Sequence, residues 1–405
     1  SGAVMTVRVN KQPFNIREKL SELERPIGVK GNELMRAETA QDARDLVSAG
    51  RKNLIINGDF RINQRSGTHT LISGYHLDRW KFQKDGLNQY AHSVTSSTDA
   101  PAGFSKSLRL EVTTTESSIS SIEDLSLTQE IEGQNLQLLG AGTNSAKPFT
   151  LSFWVKSTKP GTYCVSVVAD PATNSKIFST TYTINFANVW ERKIIKIPPC
   201  TLTTIPNVSS RGMSVRWITL AGSAYTSASG GVLHEWDDYH SSIFAGGHQT
   251  QIDTDGDVWQ ITGVQMEVGK NATEFEHRSY GEELALCQRY YQSYGLETDR
   301  SGAGPFRIVW SSNGAANNAL TGFMFPTPMR TYPTVTSYGS GTAGGNFRVY
   351  TGTNNATISG FVAVVRSDRS MRLNYSLGVG AGDAAGWIDV GDANFHHAFT
   401  LEAEL

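Results

Sequence analysis

The segment FTLSFWVKSTKPGTYCVSVV, which spans Phe149–Val168, carries the clearest strand pattern in the chain. Its first half places Phe149, Leu151, Phe153 and Val155 at every second position, with residues of mixed polarity between them. Successive side chains of a β-strand point to opposite faces, so this spacing predicts a strand with one apolar face and one mixed face.

A turn follows this strand at residues 158–161, Thr-Lys-Pro-Gly. Proline presets φ for the first part of the turn, and glycine accepts the positive φ that follows. Tyr163, Val165 and Val167 then continue the alternation. We therefore predict a hairpin, and because its apolar face needs cover from a second sheet, we predict a β-sandwich at the centre of the protein.

Length and composition support an all-β protein with more than one domain. The chain has 405 residues, which is more than a single core usually serves, so two folded domains with extra segments are expected. Only 18% of the residues are charged, 39 are glycine and 10% are aromatic. This profile is typical of strands joined by many turns.

The net charge argues against a nucleic-acid partner, and the lengths of the apolar runs argue against membrane insertion. The formal net charge is −2 and no basic block occurs, so we expect no nucleic-acid partner. No apolar run is long enough to span a bilayer, so we expect no membrane insertion.

Residues 5–52 differ in pattern from the rest of the chain. Two short amphipathic helices are predicted here, one capped by Asn15 and ended by Pro26, the other over Thr39–Ala49. Helices this short are unstable alone and must pack on a partner. We interpret the segment as a helical attachment or oligomerisation segment; the alternative is a helical linker.

Residues 53–280 form the predicted main domain, an antiparallel jelly-roll or β-sandwich. Many short alternating stretches are separated here by Gly, Ser and Asn turns. The first stretch, Asn53–Phe60, is predicted as a buried strand that ends in an Asn-Gly-Asp turn.

The remainder of the chain is predicted to hold a helix and a second β-domain. Residues 281–295 read as a connecting helix with Glu282 and Glu283 near its positive end. Residues 296–405 read as a smaller C-terminal β-sandwich, which we interpret as a candidate receptor-binding tip.

Four segments resemble bacteriophage tail-fibre or receptor-binding proteins: NLIINGDFRINQRSG, YHLDRW, FTLSFWVKSTKPGTYCVSVV and VWQITGVQMEVGKNATEFEHRSYGEELALCQRYYQ. The run from Trp259 to Tyr291 is the most specific part, and the resemblance covers roughly Asn10–Ser293. The segment ERPIGVKGNELMRAETAQDARDLVSAGRKNLIINGDF resembles the fibre proteins of marine podoviruses, and FMFPTPMRTYPTV resembles fibre ends.

This resemblance implies a homotrimeric virion protein with a carbohydrate-binding-module-like sandwich. Its N-terminal segment would attach to a virion tail or capsid protein, and it would recognise a host surface polysaccharide during phage adsorption. Two alternatives remain open. One is a capsid- or collar-attached fibre without a primary receptor role, and the other is a glycan depolymerase.

Glycan binding needs aromatic faces for the sugar C–H groups and short polar side chains for the hydroxyls. The loop-rich stretch 221–257 offers Tyr225, Trp236, Asp238 and Tyr239, and Trp387 is the alternative in the C-terminal domain. The structural alternative is that Trp236 and Tyr239 are buried where the loop folds back or at a subunit contact.

No cofactor is predicted apart from a structural calcium ion. Asp253, Asp255 and Asp257 place three carboxylates at alternate positions around a glycine, and oxygen ligands at this spacing can wrap Ca²⁺. The full twelve-residue calcium loop is missing, so a solvated turn is the alternative. Asp59 is a second candidate ligand.

We predict no catalytic residues and no enzyme. No nucleophile elbow, zinc-protease motif or phosphate-binding glycine loop occurs, and no β-helix repeat is visible. A pair of carboxylates in a cleft would be needed for a depolymerase, and the sequence does not exclude one.

Overall fold

A computed structural model describes residues 52–65, 69–70, 73–87, 90–170, 174–229, 231–294, 308–312, 318–337, 347–351, 354–365, 367–377, 385–390 and 399–405. The chain divides into two compact units, Ser1–Arg51 and Lys52–Leu405. The predicted N-terminal helices fall in the first unit and lie outside the described residues. The second unit is described below.

One layer of the main domain is a six-stranded antiparallel sheet in the order β1-β4-β5-β13-β7-β10. Along each strand, residues that point outward alternate with apolar residues that point inward, because successive side chains of a strand lie on opposite faces. The strands are β1 (His69–Thr70), β4 (Ala91–Ser97), β5 (Ser107–Thr114), β7 (Phe149–Ser157), β10 (Glu191–Ile197) and β13 (Val258–Val268).

The opposing layer is a seven-stranded antiparallel sheet in the order β12-β9-β8-β11-β6-β3-β2. Its strands are β2 (Gly74–Leu77), β3 (Trp80–Asp85), β6 (Asp124–Glu132), β8 (Gly161–Ala169), β9 (Lys176–Ile184), β11 (Arg211–Ala221) and β12 (Trp236–Asp238). The connections include the 3-10 helices Gly133–Leu139 and Ser241–Ile243 and the short helix α1 (Ser223–Thr226). The predicted all-β sandwich is therefore confirmed.

Large aromatic side chains fill the space between the two sheets. Trp217 of β11 lies 5.7 Å, between ring centroids, from both Trp80 of β3 and Phe153 of β7. All three side chains are fully buried. Because Phe153 comes from the six-stranded sheet and the two tryptophans from the other, this cluster joins the two layers.

The pairing of β7 and β8 differs from the predicted hairpin. β7 pairs with β10 and β13, whereas β8 pairs with β9 and β11. The turn at residues 158–161 therefore carries the chain from one sheet to the other. Both strands do turn their alternating apolar residues inward, so the strand prediction is confirmed and the hairpin pairing is wrong.

Asn53–Phe60 is buried but forms no strand. Asn57 adopts a left-handed conformation with φ of 57°, and its side-chain amide donates to the carbonyls of Ile62 (2.8 Å) and Asp78 (3.0 Å). Gly58 packs so closely that an added Cβ would lie 2.1 Å from the Val264 carbonyl oxygen. Side-chain hydrogen bonds thus replace the ladder that the prediction assumed.

The predicted helix over 281–295 is shorter than expected. Helix α2 (Tyr280–Gln288) begins at a capping box in which Ser279 and Glu282 exchange hydrogen bonds. The chain then enters β14 (Tyr291–Tyr294), which pairs with β22 (Phe399–Glu402), and β17 (Thr334–Ser337) completes this three-stranded sheet. No helix among the described residues has the length and apolar content needed to cross a bilayer.

The C-terminal region forms a closed six-stranded barrel and not the predicted second sandwich. Every strand of the barrel pairs on both sides, so no strand edge is exposed. Alternation of apolar residues in the sequence does not distinguish a barrel from a sandwich. The order is β15 (Ile308–Ser312), β16 (Asn318–Met324), β20 (Ser370–Leu377), β19 (Asn354–Val365), β18 (Phe347–Thr351) and β21 (Ala385–Val390).

A buried charge cluster joins the C-terminal residues to the sandwich. The Glu404 carboxylate pairs with Arg79 and, at 2.9 Å, with Arg65. The Arg79 guanidinium also lies 3.5 Å from the ring centroid of Tyr290, and it is almost fully buried. Charges this deep need their partners, because an unpaired buried ion has a large desolvation penalty.

We predict that Glu404→Gln destabilises the protein by about 3–5 kcal/mol, because it leaves the buried Arg79 without its anion and Arg65 with Glu402 alone. Chemical denaturation measured by tryptophan fluorescence checks this.

The matched control is Glu402→Gln. This side chain is 46% exposed and lies 3.4 Å from Arg65, so we expect a loss of at most about 1 kcal/mol. Equal losses for the two variants would contradict the assignment of Glu404 as the central anion.

Candidate functional site

The stretch predicted to bind glycan largely covers the seven-stranded sheet. We call residues 222–247 the cover segment. Its buried residues Ile243 and Phe244 pack on apolar side chains that β8, β9 and β11 turn outward, among them Cys164, Ile177 and Ile218. This part of the sheet face is therefore closed by the protein itself.

Trp236 is half-buried and packs against the core between the two sheets. Its ring centroid lies 5.9 Å from that of Phe178 and 6.3 Å from that of Phe149. Its indole N–H donates to the Pro198 carbonyl at 2.8 Å. These contacts fit the structural alternative for Trp236.

The other three predicted residues of this stretch differ in their surroundings. Tyr225 is half-buried and packs edge-on against Phe244 at 5.9 Å. Asp238 is exposed and pairs with Lys176. Tyr239 is 43% exposed and is the one aromatic ring of the four predicted residues with a largely free face.

Trp387 lies on the barrel strand β21. Its Cα is paired with that of Val309 on β15 and that of Tyr350 on β18. Its side chain lies outside the described part of the structure, so its role as a glycan contact stays a prediction.

The acidic turn at residues 253–257 forms salt bridges with a lysine of the same chain. The Lys159 ammonium lies 2.7 Å from an oxygen of Asp253 and 2.6 Å from one of Asp257. Asp257 also accepts from the backbone N–H of Thr254 at 2.8 Å, while Asp255 is exposed. These contacts fit a salt-bridged turn better than a calcium loop.

The second calcium candidate, Asp59, is buried and pairs with Arg61. Over the described ranges, no group of three or more His, Cys, Asp or Glu side chains is placed to hold a metal ion. The calcium ion stays a prediction that these residues do not support.

A different surface brings exposed aromatic and polar groups together, on the outward face of the six-stranded sheet. Trp154 of β7 is half-buried on this face, with its Cα opposite those of Thr262 on β13 and Arg192 on β10. Gly263 lies beside it, and a Cβ there would be 3.1 Å from Trp154 and 2.6 Å from Phe104. The glycine therefore lets both rings lie close to the sheet.

Trp190 stands at the start of β10, on the same face. Its indole N–H donates to Asp99 at 3.2 Å, and the Lys156 ammonium lies 5.2 Å from its ring centroid. Lys156 also pairs with Asp99. The carboxylate therefore holds both the indole and the lysine in fixed positions.

Aromatic rings border this surface on the side of the β13–α2 connection. Phe104 packs against Phe275 at 5.1 Å and against His277 at 5.5 Å, between ring centroids. We call the set Asp99, Phe104, Trp154, Lys156 and Trp190 the aromatic face.

Sequence reasoning missed this surface because its members come from separate segments of the chain. A local signal did exist in the alternation of β7, where Trp154 occupies an outward position between Phe153 and Val155. A large aromatic residue on the polar side of an amphipathic strand is a candidate for recognition.

Comparison with known proteins shows fold similarity only. No family model matches the chain, and no curated protein matches it. Solved structures do match. A tailspike protein 4 domain of bacteriophage CBA120 is 15% identical, with a TM-score of 0.30. The matched region covers 54% of this chain and 21% of that domain.

Two further matches have similar scores. A putative sugar binding protein from Bacteroides thetaiotaomicron is 11% identical, with a TM-score of 0.30 and coverage of 54% of this chain and 100% of that one. The xylan-binding CBM22-2 domain of Paenibacillus barcinonensis Xyn10C is 15% identical, with a TM-score of 0.27 and coverage of 54% and 99%. Similarity at this level assigns no ligand to this chain.

Two carboxylates face each other on the outward side of the seven-stranded sheet. Asp124 of β6 is directly opposite Asp85 of β3. Burial, together with the negative charge of Asp85, raises the pKa of Asp124 to about 7, although nearby Arg216 lowers it. Burial and the same two carboxylates raise the pKa of Tyr225, which places the start of the cover segment beside them.

This pair predicts a pH-dependent stability. The folded-state pKa of Asp124 lies above its ordinary value of 3.8, so its stabilising contribution is present below about pH 4 and is lost as the pH rises to about 7. Asp124→Asn removes the titrating group, so we expect its stability to fall less than that of the wild type over this range. Urea midpoints measured across the range check this.

Asp255→Asn, at an exposed position of the acidic turn, is the control and should follow the wild-type curve. An Asp124→Asn curve parallel to the wild type would contradict the assigned titration.

Proposed function

We propose that this chain is a non-enzymatic virion fibre protein that binds a glycan of the host cell surface through its aromatic face. The observation that carries the proposal is the cluster formed by Trp154, Trp190 and Asp99 on the outward face of the six-stranded sheet. Two half-buried indoles beside an exposed carboxylate combine the two features that sugar recognition requires.

The chemistry of binding follows from these groups. The C–H face of a pyranose ring stacks on an indole and removes apolar surface from water. The Asp99 carboxylate is half-exposed, and it retains acceptor capacity after accepting from Trp190, Lys156 and Gln260. The remaining lone pair accepts a hydrogen bond from a sugar hydroxyl and orients the stacked ring.

The virion role is supported by the resemblance of the segments quoted above to phage fibre proteins. In this proposal residues 5–52 attach the chain to a tail or capsid protein, and the aromatic face binds the host glycan. Single sugar contacts are weak, so three copies of the site on one fibre would provide avidity. A capsid or collar location of the same fibre remains the alternative.

The depolymerase alternative has one supporting feature, the acid pair of Asp85 and Asp124. Two facing carboxylates, one of which has a raised pKa, are the groups that glycoside hydrolysis uses. The aromatic face offers two indoles, whereas Tyr225 beside the acid pair is half-buried and packs edge-on against Phe244. We therefore favour binding without cleavage.

We predict that the full-length chain is a homotrimer. Light scattering should give three times the 44.2 kDa mass of one chain. Replacing Leu20 and Leu23 by Asp puts charge on the apolar stripe of the first predicted helix and should lower this mass. A single-chain mass for the unaltered protein would remove the trimer.

We predict that Trp190→Ala weakens binding to host polysaccharide by at least about tenfold, because a stacking residue of the site is lost. Binding is measured by biolayer interferometry on immobilised polysaccharide, with adsorption to host cells as a second readout.

Two control variants separate the candidate surfaces. Tyr332→Ala alters a ring that is 65% exposed in the C-terminal region and should bind as the wild type does. Tyr239→Ala alters the exposed ring of the cover segment and should also bind normally; a loss confined to this variant would move the site to the predicted stretch. Release of reducing ends in the same incubation would support the depolymerase.

A further inference from the structure

We propose that the aromatic face selects an uncharged glycan, a chain of neutral pyranose units, over glycans that carry carboxylate, sulfate, phosphate or ammonium groups. This inference rests on the proposed function and specifies the ligand class of the same site. It follows from the way in which the charges around the two tryptophans are paired.

An exposed carboxylate lies beside Trp190. The Asp99 side chain is 50% exposed. Its slight burial raises the pKa, but the hydrogen bonds from Lys156 and Trp190 outweigh this and hold the pKa of Asp99 below its ordinary value. An ionised carboxylate accepts hydrogen bonds from hydroxyl groups and repels another anion.

The cations that flank the tryptophans already have anionic partners. Lys156 pairs with Asp99, and Arg192, opposite Trp154, has Glu274 at 3.8 Å and donates to the Thr273 carbonyl at 2.6 Å. Arg109, on the next strand beyond β13, pairs with Glu111. An anionic glycan would have to displace one of these partners to gain any of these three cations.

A positively charged glycan is disfavoured for the corresponding reason. An ammonium group approaching Asp99 meets Lys156 on the same carboxylate, and Arg192 lies on the strand that carries Trp190. Like charges in direct contact oppose binding. Neutral hydroxyl groups are accepted without breaking any of these pairs.

The stacking surface agrees with this selection. Trp154 and Phe104 lie beside Gly263, and Trp190 is fixed by its bond to Asp99. Rings held in place before binding lose little conformational entropy when a sugar stacks on them. Affinity from stacking depends on apolar contact and is nearly independent of salt, whereas charge attraction is screened.

The test compares polysaccharides that differ mainly in charge. Full-length wild type and Trp190→Ala are assayed on immobilised dextran, dextran sulfate, mannan, galactan, alginate and chitosan, at low and high salt. We expect Trp190-dependent binding only to uncharged polysaccharides, with little change as salt rises. Trp190-dependent binding to a charged member that weakens with salt would overturn the inference and leave the proposed function intact.

Absence of Trp190-dependent binding both to this panel and to host polysaccharide would overturn the proposed function, and the inference with it. The two failures are therefore distinguishable.

A second variant tests the charge pairing directly. Asp99→Asn keeps the shape of the side chain but frees the Lys156 charge, so we expect binding to the neutral polysaccharide to fall by about fivefold or more. The same variant should gain salt-sensitive binding to dextran sulfate. Glu235→Gln, an exposed carboxylate of the cover segment, is the control and should do neither. Unchanged selectivity in Asp99→Asn would contradict the proposal.

Discussion

Two antiparallel sheets must cover each other's apolar faces, and the rest of the structure depends on this constraint. Trp217 meets Trp80 in its own sheet and Phe153 in the other, and none of the three touches solvent. Once these side chains are inside, the alternate residues of the same strands have to face outward. The outward faces then differ: the cover segment closes part of one, and the other carries the half-buried Trp154 and Trp190 beside the exposed Asp99.

Alternation predicted the strands well but not their partners. The alternate apolar residues of β7 and β8 lie inward as expected. The turn between the two strands nevertheless carries the chain from one sheet to the other. Each strand pairs with distant strands, β7 with β13 and β8 with β11, and the local pattern does not specify these partners. Asn53–Phe60 was misread as a strand because its backbone is held by side-chain hydrogen bonds from Asn57. Such long-range contacts leave no periodic signal in the sequence.

In the candidate site, too, local patterns were visible in the sequence, whereas long-range contacts were not. A cluster of aromatic and acidic residues in one loop predicted a glycan patch, but Trp236 of that cluster packs on Phe178 and donates to the Pro198 carbonyl. The aromatic face instead joins Asp99, Trp154 and Trp190 from three separate segments. Only the outward position of Trp154 in its strand was visible locally. The charge pairs that would select a neutral ligand also depend on sheet register, which sequence alone does not supply.

Oxidative footprinting with and without bound host polysaccharide tests the central claim most directly, because tryptophan rings on an open face are oxidised readily and a stacked sugar shields them. The proposed site predicts that Trp154 and Trp190 become protected, while Tyr225, Tyr239 and Trp387 do not change. Protection at the cover segment or at the barrel, with Trp154 and Trp190 unaffected, would contradict it.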